Sequence, residues 1–302
     1  MNSFKPLGER SASEIIEKLK DIDDDDESDQ LIKTDRHLES LFPTKAWLNT
    51  QHQYGFIPKI SKTLKRLQDI QSTSRIKADH DLINSRINIR LDYLRIYDYP
   101  KTIFSHIGDN IHTILFSFEA KNQTTEGSET AVFNQTYPAK SGQDAAVQGW
   151  PIFIGLNVGQ NGLSFSCKTV NIGNTGDQEI LQAINSEGAE KGLQLLTVAQ
   201  PALGPLVEVA RGICNVLAER SKNVAVQQFT LGLDFDDGST GSRLALGSYI
   251  VAQVSRADEI NWSDWKYDND TGAIVRNNLA PNEESYVLPF NTVVFRVSKY
   301  QG

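Results

Sequence analysis

Along most of the chain, apolar residues fall on every second position. Ile87, Ile89, Leu91 and Tyr93 alternate with Asn88, Arg90 and Asp92, and His112, Ile114, Phe116 and Phe118 alternate with Thr113, Leu115, Ser117 and Glu119. Phe229, Leu231, Leu233 and Phe235 alternate with Thr230, Gly232 and Asp234. A period of two places one set of side chains on each face of a strand. Ile152–Val158 and Leu163–Val170 flank Gly159-Gln160-Asn161-Gly162, which predicts a hairpin because Asn-Gly tolerates positive φ. The turn Asp236–Ser242 leads back into Leu244–Val254, Trp265–Val275 reads as a further hairpin, and Val293, Phe295 and Val297 mark a last strand. About eight or nine short strands joined by Gly, Asn and Asp turns predict an α+β fold dominated by an antiparallel β-sandwich.

Helical spacing occupies two other regions. Ser11 and Glu14 have capping-box spacing ahead of Ile15, Ile16 and Leu19. That helix runs into Asp21–Asp29, where seven of nine residues are acidic. Negative charge at a helix C-terminus opposes the macrodipole, so residues 1–30 are expected to be a mobile acidic arm. Residues 31–82 read as a basic helical region, with Ile60, Leu64, Leu67 and Ile70 at helical spacing among Lys59, Lys62, Lys65, Arg66, Arg75 and Lys77. Residues 83–302 then form the sandwich, interrupted by a helical insertion over 177–222 in which Leu206, Val209, Ala210, Ile213 and Leu217 share one face.

Composition narrows the functional classes. The 302 residues carry a net charge of −8, which argues against general nucleic-acid binding, since that needs cationic surface to displace counterions. Charge is unevenly spread: Leu31–Lys101 holds 13 Lys/Arg against 7 Asp/Glu. Only Cys167 and Cys214 are present, too few for a disulfide framework. Met1–Lys20 lacks an apolar signal-peptide core and no apolar stretch reaches the length of a membrane span, so the expected location is the cytoplasm. The sequons at Asn122, Asn134, Asn261 and Asn269 are then chance occurrences in loops.

Candidate chemistry is sparse. The sequence has no H-E-x-x-H, P-loop, G-x-S-x-G or G-x-G-x-x-G signature, and both cysteines fall on apolar faces. Two acidic turns, Asp234-Phe-Asp236-Asp237-Gly238 and Asp268-Asn-Asp270-Thr-Gly272, resemble the start of a calcium loop, although glycine falls at position five rather than six. Ordinary turn chemistry accounts for the same residues. Asp234, Asp236, Asp237, Asp268 and Asp270 are the candidate calcium ligands, and no other cofactor is expected. Lys59, Lys62, Lys65 and Arg66 form a candidate surface for phosphate, anionic lipid or an acidic partner, and Trp262, Trp265 and Tyr267 a candidate aromatic binding edge.

These features predict a non-enzymatic binding or regulatory protein that acts through protein contacts. One alternative is a membrane-active effector, kept soluble by the acidic arm, that uses the basic helix for anionic headgroups and Leu193–Leu217 for insertion. The other is a metal-dependent or hydrolytic enzyme whose site follows no linear motif, which a pocket joining His106 or His112 to Asp234 and Asp236 would favour.

Overall fold

The computed structural model describes residues 4–22, 28–29, 45–58, 66–100, 111–124, 127–140, 143–144, 147, 149–177, 180–181, 193–194, 204–236, 241–277 and 286–301. In chain order the strands begin with β1 (Gln51–Pro58), β2 (Leu67–Asp69), β3 (Gln71–Ser72), β4 (Arg86–Ile96) and β5 (Ile111–Thr124). Next come β6 (Gly127–Lys140), β7 (Gln143–Asp144), β8 (Trp150–Asn157), β9 (Leu163–Ile172) and β10 (Leu193–Gln194). The last are β11 (Val224–Leu233), β12 (Gly247–Val254), β13 (Trp265–Asp268), β14 (Ile274–Arg276) and β15 (Thr292–Lys299). Among the described residues the longer helices are α1 (Ala12–Asp21) and α2 (Gly204–Glu219), with short 3-10 turns between strands.

The strands form an eight-stranded sheet ordered β10-β8-β4-β15-β12-β1-β3 with β7 beside β4, a four-stranded sheet β11-β9-β5-β6, and a three-stranded sheet β14-β13-β2. All pairings are antiparallel except the two-residue β10–β8 contact. The expected sandwich is present, with more strands than the alternation predicts. The four-stranded sheet packs face to face on the eight-stranded one through a fully buried aromatic layer. Phe118 and Phe165 reach Phe295 at 5.2 and 5.4 Å, and Tyr249 stacks on Phe295 at 5.4 Å. Such offset and edge contacts add to the area these rings bury.

Each outer face has its own cover. The three-stranded sheet lies on the far side of the eight-stranded sheet, where Tyr267, Ile274 and Val275 meet Ile57, Tyr93, Ile250 and Val294. Helix α2 lies on the far side of the four-stranded sheet, where Cys214, Leu217 and Ala218 pack on Leu115, Val170 and Ala225. Its expected amphipathic packing holds over these residues. Most of the earlier part of the 177–222 insertion lies outside the described residues.

The two expected hairpins at 152–170 and 229–254 are corners instead. β8 belongs to the eight-stranded sheet and β9 to the four-stranded one, so the turn at Gly159–Gly162 carries the chain between layers. Gly162 has φ +89°, and a Cβ there would stand 2.0 Å from the Leu233 carbonyl oxygen, so glycine is needed on both counts. β11 and β12 are likewise split between layers, joined through the 234–243 turn. Turn residues specify a reversal, but not whether the two arms pair with each other. The longest true hairpin is β5–β6, paired from Ile111–Lys140 to Thr124–Gly127. Its second strand escapes the pattern because the inward residues Ala131, Phe133, Gln135, Tyr137 and Ala139 mix polar and small side chains.

The N-terminal segment is docked rather than an arm. Ser11 and Glu14 make the predicted capping box, and Ile15, Leu19 and Ile22 are buried in the main core. The Asp21 carboxylate accepts from the Ser221 hydroxyl at 2.6 Å, the Lys222 N–H at 2.8 Å and Lys18 at 2.8 Å, which ties the helix end to the corner after α2. The charge expected to fray the helix is used as an anchor. Most of the acidic run that follows lies outside the described residues.

Residues 31–82 also depart from the helical expectation. Their described part supplies β1, β2 and β3, and β1 lies between β12 and β3 within the large sheet. Ile70 is buried while Leu67 is 43% exposed, so the two do not share a buried face. Residues 31–82 therefore contribute strands to the same sheets as the rest of the chain. Asn122 and Asn134 are in strands, and Asn122 is fully buried, accepting the Asn157 N–H at 2.8 Å, so these two sequons do not fall in loops.

Candidate functional site

Beside β1 runs an open groove of about 960 Å³, lined by His52, Gln53 and Tyr54, by Ile70–Arg75, and by Ala257, Asp258 and Ile260–Ser263. Its floor is a strand edge. On one side β1 pairs with β12 over all eight residues, from Gln51–Val254 to Pro58–Gly247. On the other side β3 covers only Gly55 and Phe56. The Trp262 Nε1 donates to the Tyr54 carbonyl at 3.0 Å, so the backbone groups of Tyr54 face the groove. Backbone groups two residues apart on a strand point the same way, so the His52 N–H and C=O face it as well. Among the described residues, no strand pairs with Gln51–Tyr54 on this side.

Local contacts hold the groove open. The Gln53 side chain brackets Ile260, accepting its N–H at 2.7 Å and donating to its carbonyl, which fixes one wall. Trp262 covers Gly55, where a Cβ would meet both the indole ring and Ile70 at 3.0 Å. The opposite wall is rich in hydroxyls: the Thr73 and Ser242 hydroxyls are 3.0 Å apart and those of Ser72 and Ser74 2.9 Å apart. His52 turns its ring inward against Phe229, 5.5 Å between centroids, and burial lowers its pKa from 6.5 to about 4. It is therefore neutral at pH 7, and among the described residues its Nε2 has no hydrogen-bond partner. Burial also raises the Tyr54 phenol.

The predicted aromatic edge divides. Trp262 and Tyr267 are buried, Trp262 in the groove wall and Tyr267 under the three-stranded sheet. Trp265 is half-buried and stacks on the exposed Tyr286 at 6.0 Å. Of the basic set, Lys59, Lys62 and Lys65 lie outside the described residues. Arg66 is turned onto its own chain, donating to Asp268 at 2.9 and 3.1 Å and pairing with Asp270 at 3.5 Å.

That guanidinium occupies the place a cation would take in the second acidic turn. Burial pushes the Asp268 carboxyl up, but the bonds from Arg66 and the Asp270 N–H outweigh it and hold it below the usual range. Asp234 pairs with Arg243 at 3.3 Å at the four-stranded sheet's corner, and Asp237 lies outside the described residues. Among the described residues, no three His, Cys, Asp or Glu side chains stand close enough to hold a metal.

A second hollow of about 580 Å³ gathers His80, Asp234 and Asp236 with Phe235, whose ring lies 5.8 Å from His80. Among the described residues, no Ser, Thr, Cys or Lys lines it. The side chains of His106 and His112 lie outside the described set. Cys167 and Cys214 are buried, with burial raising both thiols, Cys214 to about 12, which makes them inert core residues.

Sequence reasoning missed most of the groove. Ser72, Thr73 and Ser74 carry no linear motif, and His52 becomes notable only once β1 is placed at an edge. The available signal was Gly55, a glycine inside a strand, which marks a close approach by another element. Compared with known proteins, the chain matches no family model, no curated protein and no solved structure.

Proposed function

We propose that this is a non-enzymatic binding protein that acts through protein contacts, taking an extended segment of its partner along the groove-facing edge of β1. The observation that carries the reading is the row of backbone groups at His52 and Tyr54, flanked by a wide groove and, among the described residues, left without a paired strand, with only the Tyr54 carbonyl taken up by Trp262. Bare strand edges template pairing with another chain, and proteins that leave one open beside a shaped groove use it to add a strand. The walls supply specificity: hydroxyls from Ser72 to Ser74 on one side, and Trp262 and Asn261 on the other. Support for the membrane-active alternative is weaker. Cys214, Leu217 and Ala218 of α2 are spent on the four-stranded sheet, and among the described residues no helix is long and apolar enough to cross a membrane.

The test is selection of displayed peptides against the full chain, followed by amide hydrogen exchange of the complex. Bound peptides are expected to slow exchange at the His52 and Tyr54 amides and to lose affinity for His52→Pro, which removes an edge donor. Peptides that leave those amides unchanged, or bind His52→Pro equally well, would refute the reading.

A further inference from the structure

The bare stretch of β1 ends beside a turn that carries charge. β3 pairs Ser72 with Gly55 and Gln71 with Phe56, so the chain leaves the sheet where the open stretch at Tyr54 begins. It leaves through Ser72–Arg75, where the Arg75 N–H donates to the Ser72 carbonyl at 2.9 Å. The turn is fastened to the 242–243 segment. The Arg243 N–H donates to the Thr73 carbonyl at 3.2 Å, and the Thr73 and Ser242 hydroxyls bond at 3.0 Å. Thr73 and Ile76 are buried, while Ser72 is half-buried and Ser74 and Arg75 are exposed. A fixed backbone thus presents a pair of hydroxyls, those of Ser72 and Ser74, and a guanidinium to one end of the groove.

Arg75 is the unanswered charge there. Of the residues lining the groove, Arg75 and Asp258 are charged at neutral pH, since burial keeps His52 neutral. Asp258 is answered by Arg256 at 3.8 Å. Among the described residues, no carboxylate pairs with Arg75. The chain's net charge of −8 does not cancel this local sign, because exposed charges farther off than about 8 Å are largely screened at physiological salt. A guanidinium offers a planar fork of N–H donors that matches a carboxylate, and a neighbouring hydroxyl adds a further donor.

We propose that the partner segment taken along β1 carries an acidic side chain, Asp or Glu, at the end beside Ser72–Arg75, and that Arg75 and the Ser72–Ser74 hydroxyl pair hold its carboxylate. This rests on the reading that β1 adds a strand, and it names the chemistry of what is added. Strand pairing uses backbone groups and is by itself nearly blind to sequence. The turn supplies a fixed point that sets which partner residue lies opposite Tyr54. A slip of one residue would carry the acid to the other face of the added strand and away from Arg75.

Peptides selected on the full chain from a random display library test this once resynthesised with the acidic residue, with glutamine or with phosphoserine at the same place. The selected peptides are expected to share one acidic position. Glutamine there should weaken binding about five- to tenfold, and Arg75→Gln should weaken the acidic form equally while leaving the glutamine form unchanged. Arg75→Glu should prefer a lysine form of the same peptide. Both variants should unfold at the wild-type temperature, because the Arg75 side chain is exposed. Amide exchange separates this proposal from the reading beneath it. Slowed exchange at His52 and Tyr54, with no acid preference or with binding indifferent to Arg75→Gln, would leave the strand edge standing and overturn the carboxylate anchor. An acid preference without slowed exchange at those amides would overturn both. A phosphoserine form that binds more than about tenfold tighter than the acidic form would overturn the proposal in favour of a phosphate site.

Discussion

Replacing His52 by glutamine should remove a large part of the protein's sensitivity to mild acid. His52 lies between the two sheets against Phe229, and burial takes its pKa from 6.5 to about 4. In the unfolded chain the same imidazole takes up a proton below about pH 6.5. The folded chain resists until about pH 4, so within that window the unfolded state binds more protons and stability must fall with pH. The histidine's contribution is intact above the unfolded pKa and is lost as pH drops towards the folded one. At about 1.4 kcal/mol per pH unit, the displacement sets a ceiling of about 3 kcal/mol, of which about 2 kcal/mol should appear between pH 7 and roughly pH 4.5. Urea unfolding followed by tryptophan emission, at both pH values for wild type and His52→Gln, isolates this contribution because all other titrating groups are common to both chains. The gap between them should move by about 2 kcal/mol in favour of the variant on acidification. A gap that stays constant within about 0.5 kcal/mol would show that His52 is not held neutral in the fold, and the argument from its burial would fail.

Four further outcomes follow from contacts described above or beside them. Leu19 of α1 is fully buried, so Leu19→Ala should cost about 3 kcal/mol in urea unfolding, whereas a mobile arm would give no change. Gly162→Ala should destabilise by about 2 kcal/mol or more, as a lowered unfolding midpoint, because the new Cβ meets a carbonyl at positive φ. Asp92, buried in β4, accepts from Arg296 at 2.8 Å and Ser248 at 3.1 Å, yet its pKa is raised because burial outweighs both. Arg296→Met should therefore cost about 2 kcal/mol at neutral pH, allowing for the half-exposed arginine, and the loss should shrink in acid as Asp92 protonates. Asp268→Ala should speed amide exchange at Asp270, whose N–H its carboxylate holds, while adding calcium to the wild-type chain leaves that exchange unchanged.

Short-range chemistry was the legible part of this sequence. The capping box of α1, the positive φ at Gly162, the Trp265–Val275 hairpin and the apolar face of α2 over Ile213–Leu217 all depend on neighbours within a few residues. What was misread depends on distant partners. The spacing of Ile60, Leu64, Leu67 and Ile70 fits a helix, but Ile70 is buried by Ile57 and Trp262, one of them nearly 200 residues away, and no local period encodes that. The turns at 159–162 and 234–243 announce a change of direction, while the choice between hairpin and corner belongs to the layer that receives the next strand. The groove was hidden for a related reason. A strand edge exists only relative to the strands that fail to cover it, so His52 and Tyr54 look like any alternating pair until β3 is seen to stop at Ser72. Charge patterning misled as well, since Arg66 is answered by Asp268 from across the chain.

The position of β15 has a consequence for how the protein is made. This strand lies between β4 and β12, so the eight-stranded sheet is two separate halves until Thr292–Lys299 is inserted. On the ribosome, β1, β4 and β8 emerge long before the strand that joins them, and they wait with bare edges while most of the remaining chain is synthesised. Closure is then a single late event that depends on contacts spanning about 200 residues, the kind of topology that folds slowly and exposes sticky intermediates. A chain interrupted just before Thr292 would keep nearly every side chain of the groove and yet have no continuous sheet beneath it. Loss of this short strand should therefore lead to aggregation of the chain rather than to a folded protein.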